Sequence, residues 1–206
     1  MNQNQIIMKN YKNTHFIDNV VDALRKAADE MEEFQVQASL GKTEALDKYE
    51  QIKKNFNLFI HDSKFKIKEG KEKIENINNK IEELRKQLVL KKVKTTETFK
   101  EQKEQLLLTL QELEDKIREN KTLNNMYAFM LIEMEKFRVQ LDILEHKFDE
   151  SKENAQISFE ARKREFNKFV GDMKEKFTKK EETKWEHFQS EISEAFTHLK
   201  GVFTKV

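Results

Sequence analysis

Proline is absent from these 206 residues and glycine occurs only four times, so almost nothing in the backbone interrupts helix from end to end. Cysteine is absent as well, which excludes disulfides, thiolate nucleophiles and zinc–thiolate sites and suits a reducing compartment. No charge of one sign predominates: 39 Lys and Arg stand against 38 Asp and Glu, and the net charge of +1 removes the electrostatic basis for nucleic acid as a partner. Long apolar runs are missing too. The densest, Met126 to Ile132, falls far short of the ~20 residues that span a bilayer, and the opening MNQNQIIMKNYKN lacks the basic start and apolar stretch of a secretion signal. The expectation is a soluble cytoplasmic protein.

What is present is charge and helical periodicity. Charged residues make up 37% of the chain and apolar residues another 37%, with a mean hydropathy of -0.87, so apolar surface must lie in thin seams. Sixteen Phe, three Tyr and one Trp are too many for a solvated tail. The fold class expected is all-α: an elongated antiparallel helical bundle or coiled coil of three long helices plus a shorter N-terminal one. Residues 1–13 read as a loosely docked arm, and 14–206 as a single elongated domain with helices over about 14–40, 43–92, 97–149 and 152–206.

The spacing carries these assignments. Ile17, Val20, Leu24, Ala27, Met31, Phe34 and Ala38 recur three and four apart, and Gly41 is placed to cap the end. A heptad seam then runs through Leu46, Lys53, Ile60, Ile67, Ile74, Ile81 and Leu88, paired with Tyr49, Phe56, Ser63, Gly70, Ile77, Leu84 and Lys91. Ser63 and Gly70 are either a place for close helix approach or a weak spot. The β-branched stretch Lys91 to Phe99 is the best candidate for a reversal, with Thr96 as the capping residue.

A further seam runs through Phe99, Leu106, Leu110, Leu113 and Ile117, meets Asn120, Asn124 and Asn125, and resumes as Tyr127, Met130, Met134, Phe137, Leu141, Leu144 and Phe148. We read the asparagine cluster as lying within one continuous helix, and place a second reversal at Asp149 to Asn154. Three rods of about 75–80 Å would result at 1.5 Å per residue. Beyond Asn154 the repeat becomes eleven residues, through Ala155, Phe166, Phe177, Phe188 and Leu199, the spacing of a nearly straight helix. Gly171 beside that stripe marks a bend.

No signature of catalysis accompanies the helices. HExxH, the Walker loop and GxGxxG are missing, and none of the five histidines follows a glutamate by three residues as di-iron bundles require. His187, Glu191, Glu194 and His198 share four-residue spacings, but among 38 acids such pairs arise by chance. We therefore read no catalytic residue, no cofactor and no metal, and a chain that is not an enzyme. The candidate functional surface is the aromatic face Trp185, Phe188, Ile192, Phe196, Leu199 and Phe203, suited to closing a bundle, to a partner or to a lipid interface.

Two stretches, LGKTEALDKYEQIKKNF from Leu40 to Phe56 and KWEHFQSEISEAFTHLKGVFTKV at the C-terminal end, resemble a group of bacterial and cyanobacterial coiled-coil stress-response proteins with apolipoprotein-like helices. The resemblance implies a soluble helical protein without catalytic residues. The function expected is contact with proteins or self-association, a homodimer favoured because thin seams leave apolar surface to cover. The alternative is reversible peripheral membrane contact through the Phe-rich face.

Overall fold

The computed structural model describes residues 19–31, 33–34, 42–66, 73–90, 92–119, 125–148, 157, 161–162 and 164–172. All the regular structure among them is helical. Residues 19–31 and 33–34 form α1, followed by α2 (Lys42–Lys66), α3 (Lys73–Leu88), α4 (Thr96–Glu119) and α5 (Asn125–Phe148), and residues 161–162 and 164–172 form α6. The termini suit the helix dipole: α3 and α4 carry Glu75 and Glu97 in their first turns, and Arg85, Lys86, Lys116 and Arg118 in their last.

Helices α2 to α5 close a ring in which each packs on the next and α5 returns to α2. Cross-helix contacts fix the directions. Lys92, just past α3, meets Asp47 at the start of α2 at 2.7 Å, so α3 runs antiparallel to α2. Lys80 pairs with Glu112, and Gln87 donates to Thr109 Oγ1 at 2.8 Å, which turns α4 back along α3. Phe99 near the start of α4 touches Phe148 at the end of α5, with ring centroids 4.8 Å apart. The result is an up-down-up-down bundle.

This arrangement corrects two expectations. The helix foreseen over 43–92 is two antiparallel helices, and the one over 97–149 is likewise two, because the chain reverses between Lys66 and Lys73 and again between Glu119 and Asn125. Heptad spacing is the same whether a helix continues or folds back, but folding back lets Ile77, Ile81, Leu84 and Leu88 reach 0–4% exposure inside one chain. Rods of 16 to 25 residues replace the long ones, about 24–38 Å each. Among the described seam residues, Tyr49, Phe56, Ile60, Ile77, Ile81, Leu84 and Leu88 are buried within the one chain.

The reversal expected at Lys91 to Phe99 is present, with the cap one residue earlier than Thr96. Thr98 N–H donates to Thr95 Oγ1 at 3.2 Å while Thr95 N–H donates to Thr98 Oγ1 at 3.3 Å, a reciprocal box that Thr96 would lack with Phe99 three residues on. Phe99 N–H then closes the first helical bond to the Thr95 carbonyl at 3.1 Å.

Helix α5 is the centre of the molecule. Ala128, Met130, Leu131, Ile132, Met134, Phe137, Val139, Leu141, Ile143 and Leu144 are all buried, and successive steps of 100° place them on every side. Neighbours α2 and α4 cover two sides, while α1 is tied on by Lys136–Glu30 at 2.6 Å and α6 by Arg162–Asp142 at 2.5 Å. Aromatic layers fill the interior: Tyr49 meets Phe99 edge-on at 4.9 Å, and Phe56 stacks on Phe137 at 4.3 Å.

The arm over 1–13, the cap at Gly41, the residues Ser63 (side chain) and Gly70, and the reversal at Asp149 to Asn154 lie outside the described residues. So does the last helix beyond residue 172, although α6 does run antiparallel to α5. Gly171, expected at a bend, sits within helical residues, and a methyl group added there would have no atom within 4 Å. Gly171→Ala is expected to stabilise the fold by about 0.5–1 kcal/mol through helix propensity alone, read as a raised urea midpoint.

Candidate functional site

Among the charged residues of α5, Glu135 and Arg138 are the buried ones described, at 4% and 8% exposure. Their partners come from both sides. Arg138 Nη1 donates to Glu114 Oε2 of α4 at 2.6 Å and to Glu135 Oε2 at 3.2 Å. Glu114 also accepts from Arg118 at 2.7 Å, and Arg118 reaches Asp172 of α6 at 3.4 Å. From α6, Arg162 binds Asp142 at 2.5 Å and Glu165 at 2.6 Å, and stands 3.9 Å from Glu135. Lys103 of α4 extends the ladder to Asp142 at 2.6 Å.

The ladder lines an open cleft of about 540 Å³ between α4, α5 and α6. Burial pushes the Glu114 carboxyl up, but the two guanidinium groups of Arg138 and Arg118 together outweigh it and hold the group below the ordinary carboxylate range. For Glu135 burial wins over Arg138 and Arg162, and its carboxyl lies above that range. One oxygen of Glu135, Oε1, and one nitrogen of Arg138, Nη2, are shut off from solvent without a hydrogen bond. Chemically the cleft is a clamp in which acids and bases are spent on one another.

The two carboxyls have opposite signs in linkage. Glu114, with its folded pKa depressed, contributes stability above the unfolded carboxylate range that is lost as pH falls through its folded pKa. Glu135, with its folded pKa raised, lowers stability as pH rises from the unfolded value through its folded one. Glu135→Gln is therefore expected to be more stable than the parent at pH 7, with the gain shrinking as pH falls through the raised folded pKa toward the ordinary carboxylate range. Urea midpoints of both proteins from pH 7 down to that range check it.

A second groove, of about 400 Å³, lies between α1, α2 and α5, with Phe34, Phe56 and Phe137 among its walls. Lys136 bridges Glu30 and Glu133 there, each at 2.6 Å; burial depresses this amine, but the two carboxylates prevail and raise it. On the same stretch of α2, Lys53 on the expected seam is 1% exposed. Its ammonium lies 4.6 Å from the centre of the Tyr49 ring and 3.0 Å from Glu50, and it donates to Gln102 Oε1, as does the Tyr49 hydroxyl.

No family model, curated protein or solved structure matches the chain. The aromatic face of Trp185, Phe188, Ile192, Phe196, Leu199 and Phe203, and the set His187, Glu191, Glu194 and His198, lie outside the described residues. Among the described residues no group of three or more potential ligands is placed to hold a metal, and no helix is long and apolar enough to cross a membrane. His61, on α2, lies 3.5 Å from Asp62. The ladder residues were not singled out from the sequence. Two signals were there: Lys103 interrupts the seam between Phe99 and Leu106, and Glu135 and Arg138 sit beside Met134, Phe137 and Val139 in the most apolar of helices α2 to α5.

Proposed function

We propose that this chain is a non-enzymatic helical protein that acts through protein contacts and self-association in the cytoplasm, with a homodimer as the favoured state. The observation that carries the reading is the use of its ionisable groups: in both clefts acids and bases from different helices pair with one another and hold the bundle together. Apolar side chains remain on the outside for partners, Leu58 at 54% exposure on α2 and Leu108 at 64% on α4. The aromatic stripe from Trp185 to Phe203 adds a face of the right length and spacing for a second copy. A link to stress responses rests on the resemblance of Leu40 to Phe56 and of the C-terminal segment.

Light scattering on the full chain tests this. The expected mass is about twice the 24.8 kDa of one chain, and Phe188→Glu with Phe196→Glu is expected to return it to one chain with the bundle still folded by circular dichroism. A parent protein that stays at the single-chain mass at every concentration contradicts the reading.

A further inference from the structure

The turn between α3 and α4 presents two adjacent apolar side chains to water, Val89 at 68% and Leu90 at 45% exposure. The turn is firmly held. Val89 N–H donates to the Arg85 carbonyl and Leu90 N–H to the Gln87 carbonyl, each at 3.2 Å. Val93 is buried to 2% exposure beneath it, its N–H donating to Glu50 Oε1 at 3.1 Å, and the Thr95–Thr98 box closes the far side. Two hydrophobic side chains are thus fixed outward at one end of the bundle, although folding asks nothing of them there.

Charge surrounds them. Over residues 86–100 the chain has Lys86, Lys91, Lys92, Lys94 and Lys100 against the single Glu97, a concentration of positive charge in a protein whose net charge is +1. Lys86, Lys92, Lys94 and Lys100 are exposed. Asp47 engages Lys92, and Glu97 turns back on its own helix start, with its carboxyl held low by its own backbone N–H and by Thr95. Lys86, Lys94 and Lys100 thus stay exposed on the residues that flank Val89 and Leu90 in the chain.

We propose that the α3–α4 turn is a membrane-docking tip that seats end-on on an anionic bilayer surface. Val89 and Leu90 enter the interface, and the lysines meet the headgroup phosphates and carboxylates. Nucleic acid and an acidic protein both satisfy lysines. A lipid interface adds an apolar layer that takes aliphatic side chains without a pocket cut to their shape, and lysines at the headgroup level are drawn by its negative potential. The inference is independent of self-association, and it places lipid contact far in sequence from the Phe-rich C-terminal face.

The test is flotation of the full chain with vesicles of phosphatidylcholine alone or containing about 30% phosphatidylserine. Binding is expected on the anionic vesicles, about tenfold or more weaker on neutral ones and likewise weakened at 0.5 M salt. Val89→Ser with Leu90→Ser, and separately Lys86→Glu with Lys94→Glu, are each expected to lower the anionic partition about tenfold or more. All four positions are exposed, so both variants should keep the parent's circular dichroism, urea midpoint and light-scattering mass. Absence of parent binding overturns the proposal. So does equal binding by both tip variants, or binding lost only in Phe188→Glu with Phe196→Glu. Retention of duplex DNA with no retention of vesicles overturns it as well.

Discussion

Arg138→Ala is expected to destabilise the protein by about 3–5 kcal/mol, because it strands two buried carboxylates at once. Glu114 and Glu135 are 7% and 4% exposed, and Arg138 donates to both. Glu114 keeps Arg118, but Glu135 retains only Arg162, at 3.9 Å. A loss of that size is a large part of the whole stability of a domain, ~5–15 kcal/mol. The matched control is Arg138→Met with Glu114→Leu and Glu135→Leu, which removes the charges together and is expected to be neutral or stabilising. Urea unfolding of the three proteins separates a charge left unpaired from a lost packing contact. If the single and triple variants are equally unstable, the ladder is not what holds α4 to α5.

Phe137→Ala is the second large effect, at about 3 kcal/mol. Phe137 has 0% exposure and stacks on Phe56 at 4.3 Å with 12° between the rings, which joins the central helix to α2. The estimate sits at the low end for such a truncation because Phe137 also borders the groove beside α1, through which water can reach the space left behind. The expected signature is a lower urea midpoint with the slope unchanged. A loss below about 1 kcal/mol would mean that the Phe56–Phe137 layer contributes little to the core.

Most of the core was legible from spacing. Val20, Leu24, Ala27, Met31 and Phe34 on α1, and Phe99, Leu106, Leu110, Leu113 and Ile117 on α4, are all buried as their recurrence required. So are Met130, Met134, Phe137, Leu141, Leu144 and Phe148 on α5 and Phe166 and Val170 on α6. Topology was less legible. In a chain without proline, Gly70 between α2 and α3 and the asparagines Asn120 and Asn124 between α4 and α5 are turn-forming residues that one long helix can also hold, and the seam through Ile60 and Ile81 reads alike for one rod or for two antiparallel ones. The difference lies in what faces the seam from another part of the chain, which local spacing does not encode.

The charged cleft was hidden for a related reason. Glu114 and Arg118 look like an ordinary exposed pair at i,i+4, and only α5 and α6 arriving over them turn that pair into part of a buried ladder. The clearest clue lay in Glu135 and Arg138. Leu131, Ile132, Val139 and Ile143, off the expected seam, are buried as well and cover the part of α5 that carries those two residues. An ion on that covered part must find its counterion inside.

The folding of one chain into a closed ring of four antiparallel helices is tested most directly by a distance between α2 and α3. The parent has no cysteine, so Lys54→Cys with Lys86→Cys takes two spin labels cleanly, and both positions are exposed. Antiparallel helices about 8–10 Å apart put the labels within about 25 Å of each other in a pulsed electron resonance measurement. One uninterrupted helix would hold them about 48 Å apart at 1.5 Å per residue. A distribution centred near the longer value would contradict the ring, and with it the ladder and the docking tip built upon it.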